Sequence, residues 1–119
     1  MASRLRPADP ADVADARARV AAGSPEHTDL RLLTKHFLAL LEERAPGRSV
    51  EVRVPPYAAV QVVEGVRHTR GTPPAVIETD AETWVALATG ALAWPDALAG
   101  GRVHASGERT DLSPYLPLD

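Results

Sequence analysis

The sequence predicts an α+β fold, a four- to five-stranded and mostly antiparallel sheet with helices packed on one face. Three observations predict it. Residues 50–54, Val-Glu-Val-Arg-Val, alternate strictly between apolar and charged side chains, the period-two signature of a half-buried strand. Ahead of them, Leu30, Leu33, Phe37, Leu40 and Leu41 recur at helical spacing and give one apolar face. Beyond them, residues 75–107 are punctuated as strand, helix, short helix and strand by Asp80, Gly90, Pro95 and Gly100–Gly101.

Each element follows in order. Asp9-Pro10 starts a first helix, in which Val13, Ala16 and Val20 form a weak apolar stripe that ends at Gly23. Thr28 is placed to cap the second and stronger helix, and Pro46-Gly47 terminates it. This helix is the best candidate to cover the sheet from one side. The strand at 50–54 turns Val50, Val52 and Val54 to the core and Glu51 and Arg53 to water, and Pro55-Pro56 ends or bends it. Residues 57–63 are apolar on both faces apart from Gln61, which predicts a more central and more buried strand. Glu64-Gly65 is a turn signal, 66–69 a short strand, and Gly71, Thr72, Pro73 and Pro74 connect to the β-branched strand at 75–79. Asp80 offers its carboxylate to the free N–H groups of a helix at 81–89, Glu82 adds charge to its first turn, and Gly90 closes it. Trp84, Leu87, Ala88 and Ala91 share one face of that helix. A second short helix starts around Trp94, Pro95 and Asp96, with Ala97 and Leu98 as its apolar face, and residues 102–106 alternate as a final strand.

The chain has 119 residues, of which 45% are hydrophobic. It is therefore expected to form one domain over 1–119, with a helical part at 1–47 followed by a sheet with two short helices at 48–119. With 4% aromatic residues, the core must be aliphatic, and the two tryptophans weigh heavily where they fall. The net charge of −3 and the lack of a basic stripe argue against a nucleic-acid partner. No apolar run approaches the roughly 20 residues that span a bilayer. Residues 1–6 lead into Pro7 and acidic residues instead of a signal-peptide core, so a cytoplasmic protein is expected. Zero cysteines exclude disulfides and thiol chemistry.

Catalytic constellations are thin, and neither a cofactor nor an enzymatic activity is expected. His27, His36, His68 and His104 lack the paired spacing of a zinc site. Ser106 stands before Gly107, but His104 occupies the position where a nucleophile elbow needs glycine. Gly100, Gly101 and Gly107 lack the order of a phosphate loop and read as caps and turns. His104 faces the solvent side of its strand. Arg67, His68 and Arg70 gather beside Gly71. That group could hold the carboxylate or phosphate of a ligand head through charge-assisted hydrogen bonds, or be a solvated loop.

The order strand, acid-capped helix, Thr89-Gly90, short helix at 92–98, Gly101-Arg102-Val103 and Ser106-Gly107 resembles the C-terminal half of the sterol carrier protein domain. The likeness continues more weakly through residues 48–54 and 68–74. It is similar to the small bacterial versions found in actinobacteria, free-standing or joined to mycothiol-dependent isomerases. The resemblance implies non-catalytic carriage of a hydrophobic molecule, fatty acyl or sterol-like, in a cavity between sheet and helices. Trp84, Leu87, Leu92, Trp94 and Leu98 would line that cavity, or be ordinary core. An interaction or accessory domain is the alternative, including a homodimer through the leucine-rich helix, and a mycothiol-linked transferase or isomerase accessory role is a weaker one. The family commonly continues from its last strand into an apolar segment that closes the tunnel. Here Glu108, Arg109, Thr110 and Asp111 follow instead. Leu112, Tyr115, Leu116 and Leu118 restore apolar character, and Pro114 and Pro117 prevent a regular helix, so this tail could lie over the tunnel mouth as an extended segment. The closing Pro117, Leu118 and Asp119 do not form a peroxisomal address.

Overall fold

In the computed structural model, residues 5–65, 74–107 and 110–119 are described. The chain runs through α1 (Pro10–Ala21), α2 (His27–Arg44), β1 (Val50–Val54), β2 (Ala58–Val62), β3 (Ala75–Thr79), α3 (Ala81–Thr89), α4 (Trp94–Ala99) and β4 (Val103–Ser106), with one turn of 3₁₀ helix at Ser113–Tyr115. The strands form a mixed sheet in the order β2-β1-β3-β4. β1 pairs antiparallel with β2 and parallel with β3, and β3 pairs antiparallel with β4. This is the α+β architecture that the alternation and the capped helices predict. The fifth strand expected at 66–69 lies outside the described residues.

Alternation decides which face is covered. Val50, Val52 and Val54 are fully buried, and Val60, Val62, Ile77 and Val103 are buried beside them. They form one apolar cluster with buried residues of the helices, among them Leu33, Phe37, Leu38 and Leu41 on α2 and Trp84, Leu87 and Ala88 on α3. On the opposite face most cross-strand neighbours are polar, with Val76 and Ala59 as the apolar members. Arg53 lies in register with Glu78, Glu78 with His104, and Glu51 with Gln61. α1 packs on α2 through buried Ala16, with Val13 and Val20 half-buried.

β2 departs from the expectation of a central strand, since among the described strands it stands at an edge of the sheet. Its second apolar face is accounted for by residues that leave the alternation. Ala59 is small and exposed, while Val63 has a positive φ of 64° and donates its N–H to the Ala45 carbonyl at 2.7 Å. Val63 is thereby buried at the end of α2, outside the sheet's two faces. The Val63 carbonyl accepts from the Ser49 N–H at 3.0 Å and from the Ser49 hydroxyl at 2.6 Å. This stitches the α2–β1 turn to the end of β2.

The helix boundaries follow local chemistry, with one correction. Asp80 accepts from the Thr83 N–H at 2.8 Å and from the Thr83 hydroxyl at 2.9 Å, and Gly90 closes α3 at φ 83°. α2 starts one residue before Thr28, with Glu26 as its N-cap. The Asp29 carboxylate accepts from the Glu26 N–H at 3.0 Å. The same carboxylate is gripped by Arg19 of α1, Nε to Oδ1 at 2.9 Å and to Oδ2 at 2.8 Å. A tertiary partner thus selects Asp29 over Thr28, and it holds the Asp29 carboxyl below the usual carboxylate range, through the guanidinium first and the Glu26 N–H second.

Gly47 shows how tightly the α2–β1 turn is fitted. Its φ is 151°, and a Cβ built on it would lie 2.2 Å from the Val63 carbonyl carbon. Backbone strain and a backbone clash act together there. Gly47→Ala is expected to cost about 3 kcal/mol of folding stability, measured as a lowered urea midpoint with an unchanged m-value. A loss below about 0.5 kcal/mol would show that the turn is free to move.

Candidate functional site

The residues that sequence reasoning assigns to a cavity divide by depth. Trp84 and Leu87 on α3 and Trp94 on α4 are 1%, 1% and 5% exposed and belong to one continuous apolar cluster. Leu92, between the two helices, is half-buried against that cluster. Leu98 lies elsewhere. It is 43% exposed, because α4 spans six residues and turns Trp94 and Ala97 inward. The structure therefore brings Trp84, Leu87 and Trp94 into the interior, sets Leu92 at its margin, and leaves Leu98 in solvent. Arg67, His68 and Arg70 lie outside the described residues.

The seam between α2 and α3 holds a polar pair. The Trp84 indole N–H donates to the Thr34 carbonyl at 3.3 Å, across a sequence separation of 50 residues. Thr34 itself is fully buried, and its side-chain hydroxyl has no hydrogen-bond partner. A buried hydroxyl without a partner costs on the order of 1–3 kcal/mol, so it marks a place where a donor or acceptor is wanted. Sequence reasoning passed over Thr34. The available signal was a polar residue four positions after Leu30 and three before Phe37, inside the apolar stripe.

The C-terminal tail returns to this interior. Leu112 is fully buried and Leu118 is 2% exposed. The Leu118 N–H donates to the Ala88 carbonyl at 2.8 Å, and Arg44 Nη1 donates to the carbonyls of Tyr115 at 3.0 Å and Pro117 at 2.7 Å. After the polar stretch that follows Gly107, the tail packs on the apolar cluster through Leu112 and Leu118. It forms a strap of two leucine anchors clamped by one arginine. Glu108 and Arg109 are outside the described residues.

Two clefts open on the surface. One, of about 440 Å³, lies at the carboxyl ends of the parallel strands β1 and β3, lined by Pro55, Glu78, Thr79, Asp80, Gly101, Arg102 and His104. Arg102 Nε donates there to the Thr83 hydroxyl at 3.1 Å. His104 is exposed, on the solvent side of its strand as expected. The other, of about 450 Å³, lies between α1 and α2 and is lined by Pro10, Val13, Ala14, Arg17 and His36. His36 Nδ1 accepts from the Ala8 N–H at 3.0 Å, and the ring meets Phe37 edge-on with centroids 5.0 Å apart. Burial first, and the Arg17 charge second, push the His36 imidazole below its ordinary value of 6.5. Among the described residues, no group of three His, Asp or Glu side chains is arranged to hold a metal ion, and no helix is long and apolar enough to cross a membrane.

An imidazole that accepts a hydrogen bond at Nδ1 cannot do so once protonated there. Because the folded-state pKa of His36 lies below the unfolded value, its contribution to stability is present above pH 6.5 and is lost as the pH falls through that value toward the lowered one. The denaturation midpoint is expected to drop between about pH 8 and about pH 5. His36→Asn should shrink that drop, and an undiminished drop would place its origin elsewhere.

Comparison with protein families finds that residues 26–118 match the family described as bacterial SCP ortholog. The match takes in α2, the whole described sheet, α3, α4 and the strap as far as Leu118, and leaves α1 outside it. Comparison with curated proteins finds no match.

Proposed function

Since the chain belongs to the bacterial family of sterol carrier protein orthologues, we propose that it carries a hydrophobic small molecule, fatty acyl or sterol-like, without covalent chemistry, between the sheet and α2–α3. The Thr34 hydroxyl carries this reading. It is a buried polar atom in a largely apolar seam, on the residue whose carbonyl meets the Trp84 indole, and it lacks a partner. A guest with an apolar body and one hydroxyl or carbonyl oxygen would satisfy it while replacing apolar contacts by equivalent ones. Trp84, Leu87 and Trp94 would lie along the guest, Leu92 at its entrance, and the strap of Leu112 and Leu118 would close over it. The strap is held by carbonyl hydrogen bonds from Arg44, by the Leu118 N–H on the Ala88 carbonyl, by the Arg17–Asp119 ion pair and by two leucine side chains, and none of these tethers is a hydrogen bond of the sheet.

The alternative of an accessory docking domain draws on Leu98, the large apolar side chain left 43% exposed. A single exposed leucine is ordinary surface. Of the leucine-rich face that would serve a homodimer, Leu33, Phe37 and Leu41 are buried inside the chain and Leu30 and Leu40 are half-buried. Carriage is therefore the preferred reading.

Native mass spectrometry of the protein is expected to reveal a co-purified apolar adduct, and tryptophan fluorescence should respond to palmitate or to a sterol. Thr34→Val should raise the stability of the empty protein by about 1 kcal/mol, because a methyl group replaces an unpaired hydroxyl of similar size. The same variant should weaken binding of a long-chain alcohol several-fold and leave an alkane of equal length unchanged. No adduct, together with no spectral response to either lipid class, would overturn the reading.

A further inference from the structure

We propose that the groove between α1 and α2 is a second binding site, for a small amphipathic monocarboxylate whose chain lies on Pro10, Val13 and Ala14 and whose head is held by Arg17 and His36. The groove is separate from the seam beneath α3, and its α1 wall lies outside the family-matched region. Its volume of about 450 Å³ falls within the range of small-molecule pockets, roughly 300–1,000 Å³. Its lining combines the apolar side chains of Pro10, Val13 and Ala14 with the nitrogen donors of Arg17 and His36, which are near enough for the Arg17 charge to act on the imidazole, a combination that can orient an amphiphile.

The donor end is specific in its chemistry. The hydrogen bond from Ala8 to His36 Nδ1 sets the neutral tautomer, so the proton resides on Nε2. No hydrogen bond satisfies that N–H among the described residues. Arg17 does have a partner, and the partner identifies the ligand class: Nη2 pairs at 2.8 Å with the side-chain carboxylate of Asp119, a pair whose two side chains are 40% and 32% exposed. A carboxylate of this chain thus already occupies the guanidinium at the rim of the groove. A half-exposed pair of this kind is weak and exchangeable. An incoming carboxylate would replace Asp119 on Arg17, accept from His36 Nε2–H as well, and bury an alkyl chain on the groove floor, contacts that the Asp119 side chain cannot supply. The guanidinium suits a carboxylate through its paired donors, and the apolar floor disfavours a bare inorganic anion.

The probe is sodium octanoate, with 1-octanol as its uncharged counterpart, titrated into the full chain and followed by the His36 imidazole and Val13 methyl resonances. Octanoate is expected to shift both. Arg17→Gln should weaken octanoate about tenfold, the loss of a charge-assisted contact, and leave octanol unchanged. Asp119→Asn should strengthen octanoate by removing its competitor. Val13→Asp should abolish the groove response to both probes, with retained far-UV circular dichroism excluding a folding defect. Octanoate that shifts the indole resonances of Trp84 or Trp94 while leaving His36 and Val13 unmoved would overturn the groove and leave the carriage reading standing. Indifference to Arg17→Gln and Asp119→Asn, or no shift at all, would overturn it too.

Discussion

The contact on which the other layers depend is the burial of α2 between its neighbours. Leu33, Leu38 and Leu41 are fully buried and Phe37 is 1% exposed, and the same helix meets α1, α3 and β2. Burying side chains of this size stabilises by roughly 1.5–3 kcal/mol each, so one helix supplies a large share of the apolar term in a fold of this length. Its two ends are fixed by long-range polar contacts instead. Asp29 is gripped by Arg19 at the start, and Arg44 holds the tail's carbonyls at the finish. Apolar burial sets the position of the helix, and the charged contacts set which segments lie against it.

That division explains what was legible in the sequence. Asp80 and Gly90 bracket α3 because a cap and a left-handed glycine act within a single turn of chain. The alternation of Val50, Val52 and Val54 fixed the buried face of β1 for the same reason. Local patterning could not place β2, because its second apolar face depends on Val63 reaching back to Ala45. Nor could it choose Glu26 and Asp29 over Thr28, since the deciding guanidinium comes from another helix. Leu98 reads as core by spacing, but α4 is too short to bury more than one side of itself.

The candidate site was legible in its apolar part and opaque in its polar part. Trp84 and Leu87 share a helical face and are buried together, as spacing implies. Thr34 is a single polar position within a leucine stripe, and its meaning rests on what surrounds the hydroxyl in space. The tail is similar. Four polar residues after Gly107 break the apolar pattern, and Leu112 and Leu118 find the interior from an irregular path that has no periodicity to read.

The outward face of the sheet carries a consequence for behaviour in a crowded solution. Arg53 beside Glu78, and Glu78 beside His104, set unlike groups next to one another across three strands. A second sheet stacking there would have to strip water from every member of that row and would gain little apolar surface in return, chiefly Val76 and Ala59. The row of unlike charged and polar groups thereby disfavours sheet-on-sheet stacking on the uncovered side of the molecule.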